Sequence, residues 1–218
     1  PPCQRKFRPV RQAAHWLKSV SFREKPMLPL VLASSSVYRR ELLTRLRHPF
    51  ICSSPEIDET PEHDESAAAL VRRLAEAKAR ALAEQYPQHL IIGSDQVAVL
   101  GNQILGKPHD FNRAKSQLLA ASGTSVSFLT SLALLNSSTG HCQVDMVPFT
   151  AHFRPLDEAQ ITRYLHAEQP YDCAGSFKAE GLGVSLFRAT EGTDATSLVG
   201  LPLIRLISML QNEGVNIP

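Results

Sequence analysis

Short apolar runs that alternate with helical patterns constrain the fold of this chain more than any other feature of its sequence. Leu30–Ala33, Phe50–Cys52 and Leu90–Gly93 are runs of three or four residues, typical of buried strands. A helical pattern follows the first run after Ser36, and a longer one follows the second run after Ser66; both serines are good helix N-caps. This order predicts an α/β fold with mixed α+β character.

The later parts of the chain predict longer strands. Segments 125–135 and 143–153 are extended and are separated by the turn-forming cluster Asn136–Gly140. We expect the strand at 90–93 to end at Ser94-Asp95, and Gly101-Asn102 predicts a separate hairpin turn. An apolar helix over 201–211 is expected to close the chain. Together these patterns predict a mixed sheet with helices around it.

Length, charge and cysteines exclude several classes of protein. The 218 residues suit one domain, or one domain of two lobes, and no apolar run reaches the roughly 20 residues of a membrane-spanning helix. Residues 27–218 hold 16 basic and 20 acidic residues, a net charge of −4, which argues against stable nucleic-acid binding. The four cysteines form no CxxC pair, which predicts a reduced, cytoplasmic compartment.

Residues 1–26 differ from the rest of the chain in composition. They hold seven Lys/Arg and one acidic residue. An organellar transit peptide has such a composition, and so does a vector-encoded or wrongly translated extension. Because the pattern of a fold begins only after Met27, we expect a non-native or disordered extension over 1–26 and one domain over 27–218.

Two positions next to predicted strands could carry chemistry. The segment 33–40 joins a strand to a helix start, where free N–H groups suit an anion, and Ser34 and Arg39 could complete a phosphate cradle. The alternative is an ordinary capped helix. Asp95 follows the most apolar strand, where a carboxylate could activate water or bind a metal. The alternative is an aspartate that merely forms a turn.

Lysines and an acidic loop are further candidates. Lys78, Lys107 and Lys178 could each contact a phosphate oxygen, although each alone is more often a surface charge. Glu56, Asp58 and Glu59 of the acidic segment 56–59 could hold Mg²⁺ through oxygen ligands, or the segment could be a solvated loop.

These residues follow one another in the order seen in the Maf family, which the chain resembles from Met27 to its C-terminus. The segments that carry the resemblance are Leu32–Arg40, Glu56–Glu59, Lys78, Gly93–Val97, Gly106–Pro108, Ala174–Gly181 and Gly200–Leu203. The family's common motif has Pro-Arg where this chain has Val37-Tyr38. The resemblance implies an elongated, two-lobed fold with a curved mixed sheet and a substrate cleft between the lobes.

The resemblance also implies an activity. It implies a nucleoside triphosphate pyrophosphatase that requires a divalent cation (Mg²⁺, Mn²⁺ or Co²⁺). Asp95 is then the general base, and Glu56 and Asp95 help to position the cation. The implied phosphate-binding residues are Ser34, Arg39, Lys78 and Lys107.

The chain is most similar to the YceF-like branch of the family, which implies hydrolysis of 7-methyl-GTP to 7-methyl-GMP and pyrophosphate. The implied base-selecting residues are Tyr38, Gln96 and Glu180. An N7-methylated guanine carries a positive charge, so an aromatic face such as that of Tyr38 attracts it. Glu180 can accept hydrogen bonds from the N1–H and N2–H₂ groups of guanine.

Three alternatives stay open at this stage. The substrate could be dTTP, UTP or another modified nucleotide. The chain could instead be a regulatory, division-associated protein with a vestigial nucleotide cleft. Homodimerisation is also left open.

Overall fold

The fold was analysed in a computed structural model that describes residues 27–218. The predicted N-terminal extension, residues 1–26, lies outside this range. Within residues 27–218, no helix combines the length and the apolar character that crossing a membrane requires.

A seven-stranded mixed sheet forms the centre of the molecule. Its strands are β1 (Leu30–Ala33), β2 (Phe50–Ser53), β3 (Leu90–Leu100), β4 (Gln103–Leu105), β5 (Ser125–Asn136), β6 (Cys142–Phe153) and β7 (Phe187–Gly192). Their order is β2-β1-β3-β5-β6-β7, with β4 paired to β3. β1 is parallel to β2 and β3, and the other pairs are antiparallel.

Residues 27–218 form six α-helices that accompany the sheet. They are α1 (Val37–Thr44), α2 (Ala67–Ala81), α3 (Phe111–Ala121), α4 (Glu158–Glu168), α5 (Ala195–Val199) and α6 (Leu203–Asn212), with two 3₁₀ helices at Ala174–Ser176 and Leu182–Leu186. Ser36 and Ser66 cap α1 and α2, as predicted. The predicted mixed α/β architecture is confirmed, whereas the short helix α5 was not predicted.

The expected strand end at Asp95 is wrong. β3 continues without interruption to Leu100, and Asp95 pairs with Ser131 in the middle of the strand. The extension is stabilised by β5, which pairs with all eleven residues of β3. A sequence pattern cannot reveal this long partner, because cross-strand pairing is a tertiary interaction.

One edge of β3 is nevertheless open beside Asp95. The parallel partner β1 ends at Ala33, just after the pairing of Leu32 with Ile92, and β4 starts to pair only at Ala98. Among the described residues, positions 94–97 therefore have a strand partner on one side only. The change from parallel to antiparallel neighbours leaves room for a ligand there.

Two of the four clusters of buried apolar residues within residues 27–218 lie towards different ends of β5 and mark two lobes that share this sheet. Near its start, β5 contributes Phe128 to an aromatic core in which Phe153, Phe177 and Phe187 meet edge to face. Further along, β5 contributes to an aliphatic core of leucines from β1, α1, β3 and α6. The open edge of β3 lies between the two cores.

Candidate functional site

A cavity of about 900 Å³ opens at the uncovered edge of β3. Its walls come from the loop after β1, segment 54–59, α2, β3, segment 105–109, the region 172–180 and segment 198–200. The volume lies in the range of small-molecule sites. Residues far apart in sequence thus meet where the two lobes join.

Lys78 forms the electrostatic centre of the cavity. Its side chain is nearly buried, and its Nζ donates to Asp95 Oδ1 at 2.6 Å and contacts Glu59 Oε1 at 2.8 Å. A buried ammonium is stable only with such partners, because desolvation otherwise disfavours its charge. One cation therefore holds two carboxylates at the cavity wall.

Gly93 explains how Lys78 reaches Asp95. A Cβ atom at position 93 would lie 2.0 Å from the carbonyl oxygen of Ala75 and 3.0 Å from the nitrogen of Ala79. Only glycine lets the backbone of α2 come so close to β3. This contact brings the α2 residue Lys78 directly over Asp95.

Glu59 lines the cavity, although the sequence pattern named it only together with Glu56 and Asp58 and the resemblance favoured Glu56. Partial burial acts to raise the pKa of Glu59, but the hydrogen bond and charge of Lys78, with the charges of Lys107 and Arg39, lower it below its ordinary value. Glu56, the predicted cation ligand, is exposed and is not among the residues that line the cavity. The acidic segment was the correct signal, but spacing alone could not tell which carboxylate turns inward.

Arg39 supplies a second cation on the same side of the cavity. Its Nε donates to the carbonyl oxygen of Gly200 at 2.9 Å, and no carboxylate of the described chain lies within 4 Å of its guanidinium. Burial lowers the pKa of Arg39, while the charges of Asp95 and Glu59 act in the opposite direction. A half-buried guanidinium with free N–H groups is suited to bind an anion.

Ser34 and Lys107 complete this side. Ser34 Oγ accepts from the backbone N–H of Ser36 at 3.1 Å, so its hydroxyl hydrogen can still be donated towards the cavity. Lys107 is exposed and lines the cavity from the loop after β4. We call the set Ser34, Arg39, Glu59, Lys78, Asp95 and Lys107 the charged side of the cavity.

The opposite side is less charged. Tyr38 and Glu180 line it, and burial raises the pKa of the Tyr38 phenol to about 12, with the nearby Cys173 acting in the same direction. Lys178 Nζ lies 5.7 Å from the Tyr38 ring centroid. Gln96 points its Nε2 at Thr130 Oγ1 and at two backbone carbonyls. We call Tyr38, Gln96 and Glu180, whose role in base selection is a prediction, the base side.

The donor set fits a hard divalent cation only in part. Within residues 27–218, no group of three or more His, Cys, Asp and Glu side chains is assembled. Asp95 and Glu59 share Lys78, so two carboxylates do lie close together. Mg²⁺ is commonly held by one or two carboxylates with phosphate oxygens and water, and this pair fits that pattern.

The structure brings together eight of the nine predicted site residues. Those that line the cavity are Ser34, Tyr38, Arg39, Lys78, Asp95, Gln96, Lys107 and Glu180. Glu56 alone lies outside. The roles of all nine stay predictions.

The chain is similar to several known proteins. It is 75% identical over 192 residues to the 7-methyl-GTP pyrophosphatase of Pseudomonas fluorescens strain Pf0-1, covering 88% of this chain and all of that protein. The protein of the same name from Pseudomonas aeruginosa is 69% identical over the same coverage. That from Alcanivorax borkumensis is 60% identical over 87% of this chain and 96% of the relative.

A solved structure and a family profile complete the comparison. The structure of a HAM1 protein from Coxiella burnetii, 17% identical, shares the fold with a TM-score of 0.50 over 85% of this chain and all of that one. The Maf profile, described as "Maf-like protein", matches residues 29–213. The family match and the identities above agree with the motif order and the cavity, and they show that this chain belongs to the Maf family.

Proposed function

We propose that this chain hydrolyses 7-methyl-GTP to 7-methyl-GMP and pyrophosphate. One observation carries the proposal: Asp95, Lys78 and Glu59 lie together in one cavity between two lobes. The cationic side chains of Arg39 and Lys107 line the same cavity. The relatives named 7-methyl-GTP pyrophosphatase support the same substrate for this chain.

Asp95 is proposed to be the general base. Its Oδ1 accepts from Lys78, whereas its Oδ2 has no hydrogen-bond partner among the described residues. Oδ2 can therefore take a proton from a water molecule that attacks the α-phosphorus. The new bond forms from water oxygen to phosphorus, and the bridging oxygen leaves on pyrophosphate with the bonding electron pair.

The cations of the charged side stabilise the negative charge of the triphosphate. Arg39 has free guanidinium N–H groups, and Lys107 reaches the cavity from the opposite loop. Such fixed charges act where charge develops during reaction, which is the largest source of rate enhancement in many enzymes.

Pyrophosphatase activity in the Maf family is generally metal-dependent. We propose Asp95 and Glu59 as the carboxylates that hold the cation, with phosphate oxygens completing its ligands. When bound, the cation neutralises phosphate charge. Glu56, which the sequence analysis favoured, is exposed outside the cavity, so a role for it requires a change of the acidic loop.

The base side supports a methylated guanine. The ring of Tyr38 offers an aromatic face to the cationic base, and Glu180 offers acceptors to its N1–H and N2–H₂ groups. Lys178 lies near the Tyr38 ring, so the base is expected to use the face of the ring that Lys178 leaves free.

A pyrophosphate-release panel tests the proposal. Purified full-length protein is assayed with 7-methyl-GTP, GTP, UTP and dTTP, each with Mg²⁺, Mn²⁺ or Co²⁺. We expect the highest kcat/KM for 7-methyl-GTP. Equal kcat/KM for GTP and 7-methyl-GTP contradicts the substrate, and no release from any nucleotide contradicts the activity and favours a regulatory protein. A cytoplasmic location, the absence of stable nucleic-acid binding and homodimerisation stay separate expectations.

A further inference from the structure

Gln96 is held by an unusually complete set of acceptors. Its Nε2 donates to Thr130 Oγ1 at 2.8 Å, to the carbonyl oxygen of Ser197 at 2.8 Å and to that of Leu198 at 3.1 Å. An amide nitrogen has two hydrogens, so one of them is shared between two acceptors. All three acceptors lie on the same side of the carboxamide, which fixes its orientation.

Thr130 acts together with the carbonyl oxygens of Ser197 and Leu198, which can only accept, to determine which end of the carboxamide faces them. Thr130 is fully buried, and its hydroxyl donates its only hydrogen to the carbonyl oxygen of Ser197 at 2.8 Å. Its oxygen can then only accept, so the atom of Gln96 that faces it must be the nitrogen. The same hydroxyl also anchors the backbone of α5 against β5.

The carboxamide oxygen of Gln96 is left for a ligand. No described residue donates to Oε1, and within residues 27–218 this oxygen is not among the buried side-chain N/O atoms that lack a hydrogen-bond partner. Gln96 Oε1 is therefore accessible, and Gln96 lines the cavity. Gln96 therefore presents to the cavity an acceptor oxygen, Oε1, whose direction is fixed.

We propose that Thr130 is a positioning residue for base selection, which, together with the carbonyl oxygens of Ser197 and Leu198, fixes Gln96 so that its carboxamide oxygen, and not its nitrogen, faces the nucleotide base. This inference deepens the proposed function and rests on it for the identity of the substrate. Thr130 acts through Gln96 and does not itself line the cavity.

The fixed oxygen selects a class of base. Gln96 Oε1 and the Glu180 carboxylate are both acceptors on the base side. Guanine and 7-methylguanine carry two adjacent donors, N1–H and N2–H₂, whereas uracil and thymine place one donor between two acceptors. Two acceptors in one site therefore favour a guanine-type base, whereas a pyrimidine would place its own carbonyl oxygens against them.

The test compares Thr130→Val with Thr130→Ser. Valine keeps the shape of threonine but removes the hydroxyl, whereas serine keeps it. We expect Thr130→Val to lower the ratio of kcat/KM for 7-methyl-GTP over UTP by about threefold to tenfold, the range for loss of one neutral hydrogen bond. KM for 7-methyl-GTP should rise while kcat changes less, and Thr130→Ser should restore the ratio.

Ser131→Ala is the matched control. Ser131 is the next residue of β5, is equally buried, donates to the carbonyl oxygen of Asp145, and neither lines the cavity nor contacts Gln96 through its hydroxyl. Its loss should lower stability to a similar extent without changing the base ratio. The proposal is overturned if Thr130→Val leaves the ratio of kcat/KM for 7-methyl-GTP over UTP unchanged, whether or not both values fall.

A second readout does not depend on the substrate. In ¹H–¹⁵N spectra of the free protein, the side-chain NH₂ of Gln96 should exchange slowly with water, and faster in Thr130→Val than in wild type and Thr130→Ser. Unchanged exchange overturns the proposal even if no nucleotide is cleaved.

If Thr130→Val does not fold, Thr130→Cys, whose thiol is a weaker acceptor, takes its place in both measurements. An error in the proposed substrate would show separately, because the wild-type enzyme would then not prefer 7-methyl-GTP over GTP.

Discussion

The two sides of the cavity hold their side chains by different forces. On the charged side, one nearly buried lysine holds two carboxylates, so the groups depend on one another. On the base side, Gln96 is held by neutral hydrogen bonds to Thr130 and to the backbone of α5. Lys78 and Asp95 are nearly buried, so removal of either should cost more than loss of one neutral hydrogen bond, whereas the side chain of Glu59 is 58% exposed and its contact contributes less. Changes on the charged side should therefore affect cleavage of every nucleotide, and changes on the base side should affect the choice among nucleotides.

Gly93→Ala should disrupt the charged side and the base side alike, because it should destabilise the fold that holds both. The added Cβ would lie 2.0 Å from the backbone oxygen of Ala75, and backbone cannot move aside as a flexible side chain can. We expect a loss of more than about 3 kcal/mol in the free energy of unfolding, above the usual range for overpacking. Urea denaturation measures it. Gly106→Ala, where a Cβ meets nothing within 4 Å, is the control and should unfold like wild type.

Asp95→Asn tests the charged side alone. We expect kcat to fall by at least about a hundredfold for every nucleotide, because the general base is lost while the side chain keeps its size. Pyrophosphate release measures this, with thermal unfolding to check the fold. The control is Asp145→Asn: this β6 aspartate contacts Arg205 and lies outside the cavity, so turnover should be unchanged. Turnover close to wild type in folded Asp95→Asn excludes Asp95 as the base.

Arg39→Met should weaken binding of all triphosphates to a similar degree. Loss of charged hydrogen bonds to phosphate is expected to raise KM by roughly tenfold to a hundredfold. Steady-state kinetics with 7-methyl-GTP and UTP measure it. Arg40→Met is the matched control, because Arg40 is the exposed neighbour and does not line the cavity. An effect confined to one nucleotide would place Arg39 on the base side.

Tyr38→Leu should change selection and leave general turnover nearly intact. Without the aromatic face, preference for 7-methyl-GTP over GTP should fall by about threefold to tenfold, which corresponds to one cation–π contact. Direct competition between the two nucleotides measures the ratio. Tyr38→Phe keeps the ring and should keep the ratio; if it loses the ratio as well, the phenol oxygen and not the ring selects the base.

Glu59→Gln should lower the stability of the fold by the smallest amount. This loss should be seen at neutral pH and should shrink in acid. The pKa of Glu59 lies below its ordinary 4.5, so the contact with Lys78 stabilises the folded state fully above pH 4.5 and is lost as the pH falls through the lowered pKa. The melting temperature of Glu59→Gln should therefore lie slightly below that of wild type at pH 7, and the difference should narrow towards pH 3.5. A constant difference across this range would mean that the charge of Glu59 is not what stabilises the contact.

Local signals allowed much of the fold to be predicted. Ser36 and Ser66 cap the helices at the predicted residues, and the turn cluster at 136–140 separates β5 from β6. The site residues were predicted less evenly. Eight of nine reach the cavity, but the acidic segment 56–59 presents Glu59 instead of Glu56. Consecutive acidic residues in a loop have no fixed period, so sequence spacing cannot tell which of them turns inward.

The sequence by itself determined the kinds of elements, their order and the family, since these follow from periodicity, caps and the spacing of short motifs. Tertiary structure alone decided the chemistry of the site. The full-length pairing with β5 placed Asp95 inside β3, and the close approach of α2 at Gly93 brought Lys78 onto it. The buried hydroxyl of Thr130 and the carbonyls of Ser197 and Leu198 fixed the direction of Gln96. Each of these contacts joins residues distant in the chain, and their geometry depends on packing that no local pattern encodes.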